Sequence, residues 1–387
     1  MNNLFRHAAT RHDVPAIHQW KEAGGRVVGH TCSFMPLEIL DAAGILPVRL
    51  RGIGTTEMHI GDTYFGPFVC RYPKALLQLV GDGTYDYLDG AVVSTGCDAM
   101  RRMDDCWRKL AEDAPGTLPP FFHYFDVPQK VEPHARDWFA GQVRKLISAL
   151  EAHFGVTISD RDLARAIRAR NRVRGLLWEL ELLRRNIPAR VSGTEAFAAV
   201  LAGAVLPPEL FANELESALA RIRDDMPDAQ QGRRRVLVGG SISDDLELIE
   251  MVEDSGAVVV ADNLCFGVRH ASDRVEEGRD PVEALSERYL SRSVCPRMFG
   301  NYKTRLAGMR EKIGDAGVDG VILENVRFCD LHGSENGLLE HDLEASGIPC
   351  IRVEREYGPF SDTGRLNMRV GAFVEQLRNK EGEKHAS

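Results

Sequence analysis

The residues best suited to chemistry in this sequence are its eight cysteines: Cys32, Cys70, Cys97, Cys106, Cys265, Cys295, Cys329 and Cys350. A thiolate is a nucleophile and a soft metal ligand, whereas a thiol is often only a small buried hydrophobe. No CxxC pair occurs, which argues against a zinc ribbon or a thioredoxin-like redox site. Any metal held here must draw its ligands from distant segments. The cysteine density is far below that of a disulfide scaffold, and the opening "MNNLFRHAATRHDVP" has no apolar leader. The expected setting is therefore a reduced cytoplasm, with thiols free or metal-bound.

Placement separates the cysteines. In "GAVVSTGCDAM", Cys97 follows an apolar strand and opens a helix. In "GVILENVRFCDLH", Cys329 does the same, and each is followed by Asp. Cys70, in "FVCRYPKALLQLV", also precedes an amphipathic helix. Ligands of open α/β sheets gather beyond the carboxyl ends of strands. A helix N-terminus favours thiolate over thiol through its dipole and free N–H groups. Three thiolates from three loops could hold a soft metal, or an iron–sulfur cluster with one open position. Cys32, Cys106, Cys265, Cys295 and Cys350 read more easily as packing residues, Cys106 inside a helix and Cys350 inside a strand.

Other candidates carry weaker signals. Glu38, in "SFMPLEILDAAG", is either a first-turn acid complementing a helix dipole or a carboxylate facing a cleft, able to move a proton. "LVGGSISDD" could cradle a phosphate, but lacks a P-loop ending and a full GxGxxG; a tight turn with a Ser or Asp cap is the simpler reading. Asp262, Arg269 and His270, in "DNLCFGVRH", could meet an anionic ligand such as a phosphate or thioester carrier, or could be loop residues. Asp126 and Pro128 end a strand with the same ambiguity. Neither GxSxG nor HExxH occurs, which leaves a serine hydrolase or a zincin without support.

The elements that must position these residues alternate. Strand-like and helical runs exchange along the first third, a nearly continuous helical pattern covers about 131–225, a linker-like turn follows at 226–235, and alternation then resumes. This predicts an α/β protein with two parallel-sheet lobes, 1–130 (with an N-terminal helix) and 231–387, joined by a helical segment, 131–230. The 387 residues are 44% hydrophobic and 27% charged, an ordinary globular composition. A formal charge of -9 excludes the basic footprint of a nucleic-acid binder. No apolar run is long enough for a membrane span.

As a set, the blocks "GHTCSFMPLEILDAAGILPVRLRG", "CRYPKALLQLVGDGTYDYLDGAVVSTGCDAMRRMDDCW", "GGSISDDLELIEMVEDSGAVVVADNLCFGVRH" and "DGVILENVRFCD" resemble the 2-hydroxyacyl-CoA dehydratase family, which includes benzoyl-CoA reductase subunits. The resemblance covers nearly the whole chain except its helical middle. It implies two Rossmann/flavodoxin-like lobes and a [4Fe-4S] cluster between them, held by Cys70, Cys97 and Cys329, with Glu38 in the block that approaches the substrate. It implies a lyase that removes water from a 2-hydroxyacyl-CoA: one electron enters the thioester, the ketyl radical expels the hydroxyl, and the electron is returned. The alternatives it leaves open are an oxidoreductase reducing an aromatic acyl-CoA, or a non-catalytic cluster-bearing subunit. The implied partners are an acyl-CoA, a homologous second subunit or further copies of the chain, and an ATP-driven iron–sulfur activator, since this chain lacks a P-loop.

Overall fold

The structure, a computed structural model, describes residues 3–224, 230–291, 295–358 and 363–385. Residues 226–229 of the expected linker lie outside the described residues. Strands β1 (Arg26–His30), β2 (Ile45–Arg49), β3 (Gly90–Ser94) and β4 (Phe121–Phe125) form one sheet in the order β2-β1-β3-β4. Strands β5 (Arg234–Gly240), β6 (Ala257–Asn263), β7 (Gly320–Val326) and β8 (Cys350–Arg355) form a second in the order β6-β5-β7-β8. Every pairing is parallel. The two orders correspond strand for strand, so the lobes share one topology. The α/β architecture expected from the alternation is the one observed.

Helices α1 (Asn3–Thr10), α2 (Pro15–Glu22), α3 (Glu38–Ala42), α4 (His59–Tyr64), α5 (Arg71–Gly81) and α6 (Asp98–Asp113) belong to the first third. The middle is α7 (Pro133–Phe154), α8 (Asp160–Arg185), α9 (Gly193–Ala202) and α10 (Pro208–Asp224). The last third holds α11 (Glu247–Asp254), α12 (Pro281–Ser291), α13 (Tyr302–Asp315), α14 (Asp330–Glu344) and α15 (Thr363–His385). Local chemistry sets several boundaries. Pro133 opens α7 and Gly155 ends it at φ 67°. A capping box between Ser159 and Asp162 starts α8.

Strands β3, β6 and β7 are almost wholly buried apolar runs, as a sheet covered on both faces requires. The helical segment is a wall shared by both lobes rather than a separate body. α7 packs on β4 and on α12, and α8 packs on α3, α12 and β6. One apolar core accordingly includes Val93 of β3, Phe197 of α9 and Val238 of β5.

Polar ties bind the lobes face to face at the carboxyl ends of their strands. The Gly52 N–H donates to Asp244 Oδ2 at 2.9 Å, and the Tyr357 hydroxyl donates to the same oxygen at 2.6 Å. From the second lobe, Arg297 donates to the carbonyls of Thr95, Gly96, Val127 and Pro128, all within 2.7–2.9 Å, beyond the ends of β3 and β4. From the first lobe, Arg49 crosses the other way to the carbonyl and sulfur of Cys265, at 3.1 and 3.2 Å.

The "GGS" turn after β5 owes its form to one glycine. Gly240 has φ 135°, and a Cβ there would lie 2.0 Å from the Glu324 carbonyl oxygen. That approach lets the Ser241 N–H reach the same carbonyl at 3.1 Å. Gly240→Ala is expected to destabilise the fold by about 3 kcal/mol. Gly308→Ala, inside α13 with open space around it, should be neutral or stabilising by up to about 1 kcal/mol. Urea unfolding of both variants checks this; equal stability of the two would contradict the account of the turn.

Candidate functional site

Cys70, Cys97 and Cys329 are each the N-cap residue of a helix: α5, α6 and α14. Cys97 and Cys329 stand at equivalent places, each three residues beyond its strand, β3 or β7. Because the lobes meet at the carboxyl ends of their sheets, all three residues line one cavity of about 80 Å³. The sequence-predicted trio is thus brought together by the fold.

Burial comes first among the causes that raise the Cys70 thiol above its ordinary value, followed by the charges of Cys329 and Cys97. Burial likewise pushes Cys97 up to about 12 and raises Cys329. Backbone N–H groups of Tyr72, Met100 and His332, in the first turns of the three helices, pull in the other direction. Three thiolates sharing one cavity would need a cationic partner. Among the described residues, no three His, Cys, Asp or Glu side chains converge tightly enough to share a single metal ion. Thiols arriving from three separate helix ends suit instead a polynuclear cage, in which each thiolate binds a different iron.

Three further cysteines line the same cavity: Cys32, Cys265 and Cys295. Their sequence context suggests only packing roles, and the fold corrects this. Cys32 lies just past β1 and Cys265 just past β6, so the strand-end rule that singles out Cys97 and Cys329 applies to them equally. Cys295 follows no strand, and no sequence signal marks it. Cys265 differs electrostatically from Cys32, Cys70, Cys97 and Cys329. Burial would raise its thiol, but the guanidiniums of Arg49 and Arg269 outweigh burial and lower it. Cys106, within α6, and Cys350, within β8, lie outside the cavity.

The cavity wall also carries Arg269, Arg297, Ser241 and His332. Ser241 hydrogen-bonds to the Cys329 thiol and accepts the Val326 N–H at 3.0 Å, fixing the loop that carries Cys329. His332 is buried, and burial followed by the field of Arg269 lowers it to about 3, so it is a neutral imidazole. Phe328, directly before Cys329, adopts φ 63°, an uncommon conformation for a bulky residue. Its ring meets Phe68 edge-on at 5.8 Å, forming an aromatic rim beside the thiols.

Of the remaining candidates, Arg269 joins the cavity, whereas Asp262 is fully buried and structural. It accepts from Arg184 at 2.8 Å and from the Val268 N–H at 3.0 Å. His270 lines a separate small pocket. Asp126 and Pro128 line an open groove of about 730 Å³ that also reaches Cys97.

Glu38 lies apart from the three cysteines. It does not line the cysteine cavity and is 0% exposed. Arg174 donates to its Oε1 at 2.5 Å, and the Tyr289 hydroxyl donates to its Oε2 at 2.9 Å. Burial would raise this carboxyl, but Arg174 and Arg288 outweigh it and hold it at about 2. A carboxylate so firmly ionised is a poor proton carrier near neutrality; Glu38 instead orders α8 and α12 against α3.

The chain belongs to the 2-hydroxyglutaryl-CoA dehydratase, D-component family, whose model matches residues 32–377. It is 28% identical to a benzoyl-CoA reductase subunit of Thauera aromatica, over 92% of this chain and 95% of that protein. It is 24% identical to the (R)-phenyllactyl-CoA dehydratase beta subunit of Clostridium sporogenes, over 92% and 93% of the two chains. It is also 24% identical to the beta subunit of (R)-2-hydroxyglutaryl-CoA dehydratase of Acidaminococcus fermentans, over 93% and 94%. No helix among the described residues is long and apolar enough to cross a membrane.

The Glu38 ion pair yields a pH prediction. Lowering a carboxyl from its ordinary 4.5 to about 2 on folding corresponds to about 3 kcal/mol. A depressed folded value makes that stability fully present above the unfolded value. It is then lost as pH falls from about 4.5 through about 2. Glu38→Gln is therefore expected to lose about 3 kcal/mol at pH 7, with the deficit against wild type shrinking across that acid window. Urea unfolding of both proteins at several pH values measures it; a deficit that does not change with pH would contradict the ionised pairing.

Proposed function

We propose that this chain is the iron–sulfur subunit of a 2-hydroxyacyl-CoA dehydratase, a hydro-lyase that converts an (R)-2-hydroxyacyl-CoA to a 2-enoyl-CoA. The observation that supports it most directly is the convergence of Cys70, Cys97 and Cys329, three helix N-caps from two lobes, on one cavity. These three thiols would hold a [4Fe-4S] cluster. When bound, the cluster would supply one-electron and Lewis-acid chemistry to the thioester, opening the ketyl-radical route to loss of the 2-hydroxyl.

The chain's own residues account for the rest. Arg297 holds the carbonyls around Cys97 and so keeps that thiol in register with Cys329. Ser241 orients Cys329. Tyr72 and Met100 form part of the cavity wall. Relatives named as subunits support a partner chain. A separate ATP-driven activator would deliver the electron.

A benzoyl-CoA reductase type of subunit is the second reading, favoured by the 28% identity to such a subunit across nearly the whole chain. Product analysis separates the two: a 2-enoyl-CoA from a 2-hydroxyacyl-CoA, or a cyclic diene from an aromatic acyl-CoA. For the site itself, Cys70→Ser, Cys97→Ser and Cys329→Ser should each remove most of the bound iron. Cys106→Ser and Cys350→Ser should leave iron content unchanged. Iron and sulfide assays on anaerobically purified variants decide; iron that depends on Cys106 or Cys350 but not on Cys70 would refute the ligand set.

A further inference from the structure

Three cysteines of the cavity have no part in the cluster proposed above: Cys32, Cys265 and Cys295. The fold sorts the six thiols into two trios. In the first, Cys97 follows β3 of one lobe and Cys329 follows β7 of the other, and Cys70 comes from the segment between α4 and α5. In the second, Cys32 follows β1 of the first lobe and Cys265 follows β6 of the second, and Cys295 comes from the segment between α12 and α13. Each trio thus takes one strand end from each lobe and a third thiol from a connecting segment. The trios adjoin at Gly96, where a Cβ would lie 3.4 Å from the Cys32 sulfur; Cys97 is the next residue. The atom-free space around them, counted out to the solvent at the cavity mouth, is about 680 Å³.

Their surroundings differ. The cysteines whose charges act on Cys70 are Cys329 and Cys97, its own trio. Arg269 serves the other three. Burial works against its charge, and the neighbours that favour it are Cys295, Cys265 and Cys32. Arg269 is 3% exposed, and its Nη1 has no hydrogen-bond partner. Arg49 donates to the Cys265 sulfur at 3.2 Å, and its buried Nε also lacks a partner. Among the described residues no carboxylate forms an ion pair with either guanidinium. Two buried cations without a counter-anion, each with an orphaned N–H aimed among thiols, are costly as they stand.

We propose that Cys32, Cys265 and Cys295 seat a second four-iron cluster, so that one cavity holds two iron–sulfur clusters side by side. The inference rests on the iron–sulfur reading above and goes beyond it. A cluster on three thiolates is an anion whose sulfides accept hydrogen bonds, which is what Arg49 and Arg269 lack. Thiols that do not converge on a single ion suit a cage in which each binds a different iron. None of the three caps a helix; the helices that follow them start from Leu37, Gly267 and Asn301. The second seat therefore has guanidiniums in place of the helix N–H groups that serve the first, and it fills after the first.

The test uses the full chain, co-expressed with its partner subunit and purified without oxygen. Iron and sulfide are counted, and the reduced protein is examined by electron paramagnetic resonance. Wild type is expected to hold about eight iron per chain, twice what one cluster accounts for, with a signal broadened by magnetic interaction between neighbouring clusters. Cys32→Ser, Cys265→Ser and Cys295→Ser should each halve the iron and leave the simple signal of one reduced cluster. The wild-type count stands even if a variant fails to fold. About four iron in wild type, unchanged in the three variants, would mean that these cysteines only pack the cavity wall; the inference fails and the first cluster stands. A folded wild-type chain without iron would overturn both.

Discussion

Everything at the proposed site depends on two parallel sheets being held with the carboxyl ends of their strands facing each other. Nothing in a single α/β lobe demands this. It is imposed by buried polar ties that cross the junction. Asp244 accepts both the Gly52 N–H and the Tyr357 hydroxyl. Arg297 clamps the carbonyl ends of the first lobe, and Arg49 reaches the Cys265 loop of the second. Burial raises the Asp244 carboxyl above its ordinary value, so the tie is made at the cost of desolvating an acid. Interactions of this kind add little net stability, but losing one partner strands the other in a dry environment. They fix geometry more than they add to stability.

That geometry explains the electrostatics of the cavity. Thiols gathered from several loops repel one another as they ionise, and burial compounds the penalty. The surroundings supply compensation from two directions: helix N-termini behind Cys70, Cys97 and Cys329, and guanidiniums from Arg49 and Arg269 around Cys265. A one-electron reaction benefits from such a place. Its wall is mostly apolar and carries the guanidiniums of Arg269 and Arg297, so negative charge developing there would be tolerated.

Much of this was legible in the sequence because it is local. Apolar runs of five to seven residues marked the buried parallel strands, and the residue after such a run, at a helix start, marked Cys97 and Cys329. Cys70 was visible as a helix opener. Other features depend on partners far away in sequence. Glu38 read as either a helix-dipole acid or a cleft-facing carboxylate because its partners are remote: Arg174 lies 136 residues further along and Tyr289 251 residues further. Cys32 and Cys265 read as packing residues because burial is common for cysteine, although their strand-end placement was available. Cys295 could not have been found, since only the folding of its segment across the junction brings it to the cavity. The helical middle read as a segment joining two lobes, because periodicity shows an apolar face and not what covers it; α7 and α8 pack on elements of both lobes.

The central claim is that Cys70, Cys97 and Cys329 hold one four-iron cluster. It is tested most directly by electron paramagnetic resonance, with iron and sulfide analysis, of the reduced wild-type chain co-expressed with its partner subunit and purified without oxygen. The account predicts about four iron and four sulfide per chain for this cluster, and the signal of a reduced [4Fe-4S] cluster. A well-folded chain that contains no iron under these conditions would contradict it.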